Sequence, residues 1–223
     1  MGIISIENAD RLFWLGRYTE RVYTTLQLFS EHFDEMIDQN EESYRILCDR
    51  LDIPCIYTSA EDFVDRYCFD ETDTNSIISN MLRAYDNGIM LRDEIGSETL
   101  AYIQMCVYVI RNARGVDTFM IEFQKVMDYI MAFWGMEDDF VGDENARNIV
   151  KVGKRLERID MYARLKMGQV DLSREVLRLA GRINRTDLKY RAEVMEEVKN
   201  LAQSEEINYS KIVYLVENEL LEA

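Results

Sequence analysis

Two short stretches hold the side chains best placed to do chemistry, Trp14-Leu15-Gly16-Arg17-Tyr18-Thr19-Glu20-Arg21 and Lys151-Val152-Gly153-Lys154-Arg155-Leu156-Glu157-Arg158. Each sets a glycine four residues before the glutamate of a Glu-Arg pair. A carboxylate in such a setting can hold an amine or act as a base. An arginine can grip a carboxylate or phosphate through two parallel N–H donors. Glu20 and Glu157 are therefore the candidate catalytic groups, and Arg17, Tyr18, Arg21, Lys154 and Arg158 the candidate binding groups.

Both copies lie in segments with helical periodicity. At about 100° per residue, Ala9, Phe13, Gly16, Glu20, Tyr23 and Gln27 share one stripe, and Ala146, Ile149, Gly153, Glu157, Asp160 and Arg164 form its counterpart. A helical glycine costs roughly 1 kcal/mol against alanine, so its recurrence calls for a packing reason: close approach of another backbone or of a ligand. A glutamate on that inward stripe must be paired or hydrogen-bonded, because desolvation otherwise costs several kcal/mol. Two arrangements meet that demand. In one, the glutamates accept from arginines across a pseudo-symmetric helix pair. In the other, the same groups line a polar pocket between helices.

Other chemistries are poorly supplied. His32 is the single histidine and directly follows Glu31, so no Glu-x-x-His pair for a di-iron bundle exists. Cys48, Cys55, Cys68 and Cys106 form no CxxC pair and no zinc spacing. The tract Glu137–Glu144 lacks the alternating ligands and central glycine of a calcium loop and reads as a solvated linker and cap. No metal and no cofactor is expected. Gly-x-Ser-x-Gly, P-loop and Gly-x-Gly-x-x-Gly motifs are absent. A net charge of −16 disfavours nucleic acid and anionic membrane surfaces. The longest uncharged apolar stretch, Thr99–Ile110, is 12 residues, short of the roughly 20 a span needs. With acid met at once in Met1-Gly2-Ile3-Ile4-Ser5-Ile6-Glu7, no signal peptide is read, and a cytoplasmic chain with reduced thiols is expected.

The elements that must position these groups are helices throughout. One proline and ten glycines in 223 residues favour long helices. The periodicity predicts helices over Glu7–Asp38, Thr74–Ile95, Ser97–Ala113, Val116–Trp134 and Asp143–Met167, with Ser5 or Asn8 capping the first and Ser97 capping the third. Residues 40–73 are broken into two short helices, the second capped by Ser59. After Gly168 the pattern fits Leu172–Ile183, Asp187–Gln203 and Tyr209–Leu221, and no strand is predicted. The expected fold is all-α: an up-and-down bundle of long antiparallel helices over residues 1–168, with 169–223 a helical extension packed on it.

The first motif, in the wider form Ser5…Ala9-Asp10-Arg11-Leu12-Phe13-Trp14-Leu15-Gly16-Arg17-Tyr18-Thr19-Glu20-Arg21, resembles the opening of the bacterial alpha-E proteins. Ala84 to Glu98 is similar to the family's Arg-Asp…Ser-x-Glu junction, and Gly153 to Leu165 to its second Glu-Arg helix. That resemblance adds Arg92, Asp93 and Glu98 to the binding candidates. It also implies an all-helical fold. Members typically sit beside ATP-grasp ligases and transglutaminase-like proteins, which implies an accessory or catalytic component working with an ATP-grasp-type carboxylate–amine ligase on a peptide or amino-acid substrate. The alternative is a non-catalytic interaction scaffold with structural Glu-Arg pairs. Whether the chain is itself an enzyme stays open at this point.

Overall fold

The computed structural model describes residues 4–38 and 42–222, leaving out the side chains at positions 32, 34, 35, 37 and 38. The single histidine, His32, thus lies outside the described side chains. Eleven helices make up the described residues: α1 (Ile6–Asp38), α2 (Ser43–Leu51), α3 (Ala60–Phe69), α4 (Ile77–Met90), α5 (Arg92–Ile95), α6 (Ser97–Ala113), α7 (Phe119–Phe140), α8 (Glu144–Arg164), α9 (Gln169–Ile183), α10 (Ala192–Ala202) and α11 (Tyr209–Asn218). Extended pairing among them is limited to one isolated bridge, Tyr190 to Leu221. The fold is all-α.

Several helix ends follow from local chemistry. Ser5 Oγ accepts the Asn8 N–H at 3.1 Å and starts α1. Ser59, Ser76 and Asp143 do the same for α3, α4 and α8. Other ends depart from the expected pattern. The helix expected over Thr74–Ile95 stops at Met90, because Leu91 leaves helical geometry (φ −98°, ψ 13°) with its side chain fully buried, and the short α5 follows. Ser97 is not a cap. It is the first residue of α6, and its Oγ instead accepts from Arg92 Nε at 2.8 Å. The tract read as a solvated linker is helix up to Phe140, and Glu137 within it is fully buried. Glu137 follows the buried Phe133 and Trp134 by one helical turn, so the helix carries it to their face despite its acidic neighbours.

The chain forms two compact units, one comprising Tyr18–Gly142 and the other joining the residues up to Arg17 with those from Asp143 onward. In the Tyr18–Gly142 unit, α6 packs on α7 and α4 on α6. Its core holds an aromatic cluster in which the Phe29 ring meets Phe63 at 6.3 Å and Phe123 at 6.1 Å. Gly115, at φ 75°, lies in the turn from α6 to α7. In the other unit, α9 and α11 pack on α8, and α10 packs on both α9 and α11. Residues 169–223 therefore belong to the same unit as the second motif helix, and the sequence boundary at Gly168 falls inside it.

The first turns of α1 cross α8 at the two motif glycines. A Cβ on Gly16 would overlap the Val150 carbonyl oxygen and stand 3.0 Å from the Lys154 nitrogen. A Cβ on Gly153 would overlap the Phe13 carbonyl oxygen and stand 3.2 Å from the Arg17 nitrogen. The contacts are reciprocal. Val150 precedes Gly153 by three residues as Phe13 precedes Gly16, and Lys154 and Arg17 each follow their glycine directly. Backbone meets backbone on both sides, which only a residue without a side chain permits.

Gly16→Ala or Gly153→Ala should therefore destabilise the protein by about 1–3 kcal/mol or more, since the obstructing atoms are backbone that cannot rotate aside. Gly135, exposed within α7, has nothing within 4 Å of a Cβ, and Gly135→Ala should stabilise by up to about 1 kcal/mol. Urea titration of the three variants checks the opposite signs. A uniform response would contradict the crossing.

Candidate functional site

The glycine crossing sets the charged side chains one turn along. Arg17 is buried against the rings of Phe13 and Trp14, its guanidinium 5.9 Å and 5.1 Å from their centroids. From there Arg17 Nε donates to Glu157 Oε2 at 2.6 Å. Glu157 is 1% exposed. This is a charge-assisted hydrogen bond out of reach of solvent screening, joining the first motif to the second. Lys154 is buried beside the same crossing, its backbone nitrogen next to Gly16. Arg17, Lys154, Glu157 and Arg158 are the predicted residues held by the unit that contains α8.

Three more motif residues fall in the Tyr18–Gly142 unit. Glu20 is fully buried, and Thr24 Oγ1 donates to its Oε1 at 3.3 Å. Tyr18 is half-buried, with the Arg83 guanidinium 5.7 Å from its ring centre. Arg21 is half-buried and acts on Tyr67, where burial pushes the phenol up and Thr25's hydrogen bond and Arg21's charge offset part of that. Both motif glutamates thus point inward, as their helical stripes require. The stripe fails at its far end, where Gln27 is exposed.

Around α8 the structure adds buried charges the motif did not announce. Glu175 of α9 is 1% exposed and accepts from Arg155 at 2.6 Å and from Arg178 at 2.7 Å. Burial pushes its carboxyl up, but the positive charges of Arg155, Arg158 and Arg178 outweigh that, and the net shift is downward. The charge of Arg158, the second motif arginine, thus also acts on Glu175. Asp160 is fully buried, and Arg164 Nε donates to its two oxygens at 3.1 Å and 3.0 Å. Arg164 also reaches Glu217 of α11 at 2.9 Å. A signal for Glu175 was present in the sequence: it shares a helical stripe with Leu172, Val176, Leu179 and Ile183, all buried.

The remaining candidates sit elsewhere. Arg92, Asp93 and Glu98 are exposed at the α4–α6 junction of the Tyr18–Gly142 unit. Near that unit's other helix ends, Arg111 pairs with Glu71 at 2.7 Å and Arg114 with Asp65 at 2.7 Å, all half-exposed and contributing little each. Among the described residues no group of three or more His, Cys, Asp or Glu is placed to hold a metal ion. No described helix is long and apolar enough to cross a membrane.

The arrangement defines a class: an all-helical protein built on a doubled Gly-x-x-x-Glu-Arg motif with a buried Arg–Glu bridge between the copies. Residues 7–199 match the Alpha-E family, described as a predicted alpha-helical domain with a conserved ER motif, and the chain belongs to that family. The match extends beyond Gly168 into α10. No curated protein and no solved structure matches the chain.

Asp160 supplies a pH test. Burial raises its carboxyl first, Glu157's negative charge adds to that, and Arg164 offsets part, leaving it pushed up from 3.8 to about 6. Between those values the native state binds the proton more tightly than the unfolded chain. The contribution to stability is thus present below about 3.8 and lost as pH rises through about 6. Asp160→Asn should flatten the stability curve across that window, by up to about 3 kcal/mol relative to wild type. Urea unfolding at intervals from pH 4 to pH 7 measures it, and parallel curves for the two proteins would refute the shift.

Proposed function

We propose that the chain is a non-catalytic helical interaction module and that its doubled Glu-Arg motif is an architectural lock. One observation carries this reading: the space beside Gly16 and Gly153 is filled by the backbone of the facing helix. A ligand cradle would need that space. The Arg17 guanidinium, likewise, is spent on Glu157 and packed under two aromatic rings, so it is not presented to a carboxylate or phosphate from outside. Buried pairs of this kind fix which surfaces of two helices meet.

The partner this module would serve is an ATP-grasp-type carboxylate–amine ligase or a transglutaminase-like protein. Support for that choice is the family resemblance. In this reading Glu20 and Glu157 neither abstract a proton nor hold an amine. Glu157 is the anionic half of the lock, and Glu20 is a buried carboxylate that accepts from Thr24.

Two variants separate a lock from a site. Glu157→Gln strands the Arg17 charge in the interior and should cost about 3–5 kcal/mol of stability. Replacing both partners, Arg17→Met with Glu157→Leu, should recover most of that loss, because apolar groups of similar volume need no partner. The double variant should still bind a co-expressed ligase and support its amide-forming turnover to within about twofold. A double variant with wild-type melting temperature but turnover reduced tenfold or more would instead make the pair part of a reaction site.

A further inference from the structure

Helix α9 has two faces. On one, Leu172, Glu175, Val176, Leu179 and Ile183 are buried, where α9 packs with α8 and α10. On the other, Val170, Arg174 and Leu177 follow at intervals of four and three residues, which sets them in one row. Val170 is 76% exposed and Leu177 53%. Apolar side chains scattered singly on a surface are ordinary, but these two border an open groove of about 600 Å³, completed by Ser173, Arg178 and Gln203 at the end of α10. Hydrogen bonds fix its far wall. Gln169 Nε2 donates to the Gln203 and Ser204 carbonyls at 2.5 Å and 3.1 Å, and Ser173 Oγ donates to the Ala202 carbonyl at 2.7 Å. These bonds satisfy the last carbonyls of α10 and hold its end against α9, so the groove is preformed. Its charge runs against that of the chain, which is −16 in total. Within α9, Arg174, Arg178 and Arg182 stand against Asp171 as the one acid left in solvent, because Glu175 is 1% exposed. Arg174 pairs with Asp171 at 2.6 Å, a half-exposed contact that contributes little and gives way readily. Arg178 pairs with Glu175 at 2.7 Å and is itself half-exposed. A guanidinium has several N–H donors, so each arginine retains capacity for a carboxylate from outside.

We propose that this groove docks an acidic amphipathic helix of a partner protein, its apolar side chains seated beside Val170 and Leu177 and its carboxylates paired with Arg174 and Arg178. The proposal rests on the reading of the chain as an interaction module and gives that module a surface. Val170 and Leu177 stand about 10 Å apart along α9, the separation of two apolar positions seven residues apart on a facing helix. Arg174 and Arg178 are one turn apart between and beside them, which matches acids at the same spacing. Size decides between anionic occupants. Charges farther than about 8 Å are screened at physiological salt, so a single helix meets the local arginines. A membrane, a nucleic acid or a second copy of this chain is larger than the patch and also meets the acidic remainder.

The test selects helical peptides, randomised at their surface positions and displayed on phage, against the immobilised full chain. Enriched peptides should carry apolar residues seven apart with Asp or Glu between them. By fluorescence anisotropy they should bind wild type at least roughly tenfold more tightly than Leu177→Ser or Arg174→Glu, both exposed positions whose variants keep the wild-type melting temperature. Replacing the peptide's acids by lysine should restore binding to Arg174→Glu, which a merely misfolded variant would not show. No enrichment, enrichment of basic or uncharged helices, or equal affinity for wild type and Leu177→Ser would overturn the proposal. So would phosphatidylserine-vesicle binding, RNA binding or dimerisation that Leu177→Ser abolishes, since each hands the groove to another occupant. The Arg17→Met/Glu157→Leu protein keeps the two readings apart, because its substitutions leave the groove residues in place. Ligase turnover lost in that protein with peptide binding kept would fail the non-catalytic reading and leave the groove standing. Turnover kept with no peptide selected would fail the groove alone.

Discussion

The constraint on which one unit of this protein turns is a contact between two helix backbones at Gly16 and Gly153. No side chain fits between Gly16 and Val150, or between Gly153 and Phe13. Helices that approach this closely bring the next turn of each into the interior as well, and in this sequence the next turn is charged. Arg17 and Glu157 are buried as a consequence of the glycines, and each supplies the counter-charge the other needs. In the second copy glycine and glutamate act as a single device: Gly153 sets the distance, and Glu157 sets the electrostatics at that distance.

Once α8 is buried, its other charges need partners too, and the C-terminal helices provide them. Arg155 finds Glu175 of α9, and Arg164, already holding Asp160, finds Glu217 of α11. A buried ion pair is weak evidence for net stability, because an apolar pair of the same volume often does as well. Its effect is on choice of partner. An α9 sliding by one turn would leave Arg155 or the buried Glu175 stranded without its partner, at a cost of several kcal/mol. The tail after Gly168 is therefore integral to the unit that contains the second motif. The Alpha-E match continuing into α10 agrees with that.

Much of this could be read from the sequence, and what could not has physical reasons. The helical class, the span of α1 and the inward aim of Glu20 and Glu157 followed from 3.6-residue periodicity, which reports burial directly. Leu91 illustrates one limit: no glycine, proline or capping residue marks this fully buried position as the end of α4. Glu137 illustrates another, because acidic neighbours suggested solvent while the helix carried the residue into the core. The motif alone left open whether the glycines admit a backbone or a ligand. That choice depends on the facing element, and a single-sequence pattern says nothing about which helix lies opposite. Glu175 was legible on its apolar stripe, but its partner Arg155 comes from a different helix, which the stripe does not announce.

The most direct test of the central contact is a double-mutant cycle on the two glycines. If Gly16 and Gly153 meet the opposite backbone at one crossing, the first alanine prises the helices apart and the second finds room already made. The stability lost in Gly16→Ala/Gly153→Ala should then fall short of the sum of the single losses by about 1 kcal/mol or more. Additivity within about 0.3–0.5 kcal/mol would mean that the two glycines sit in independent surroundings, and would contradict the account.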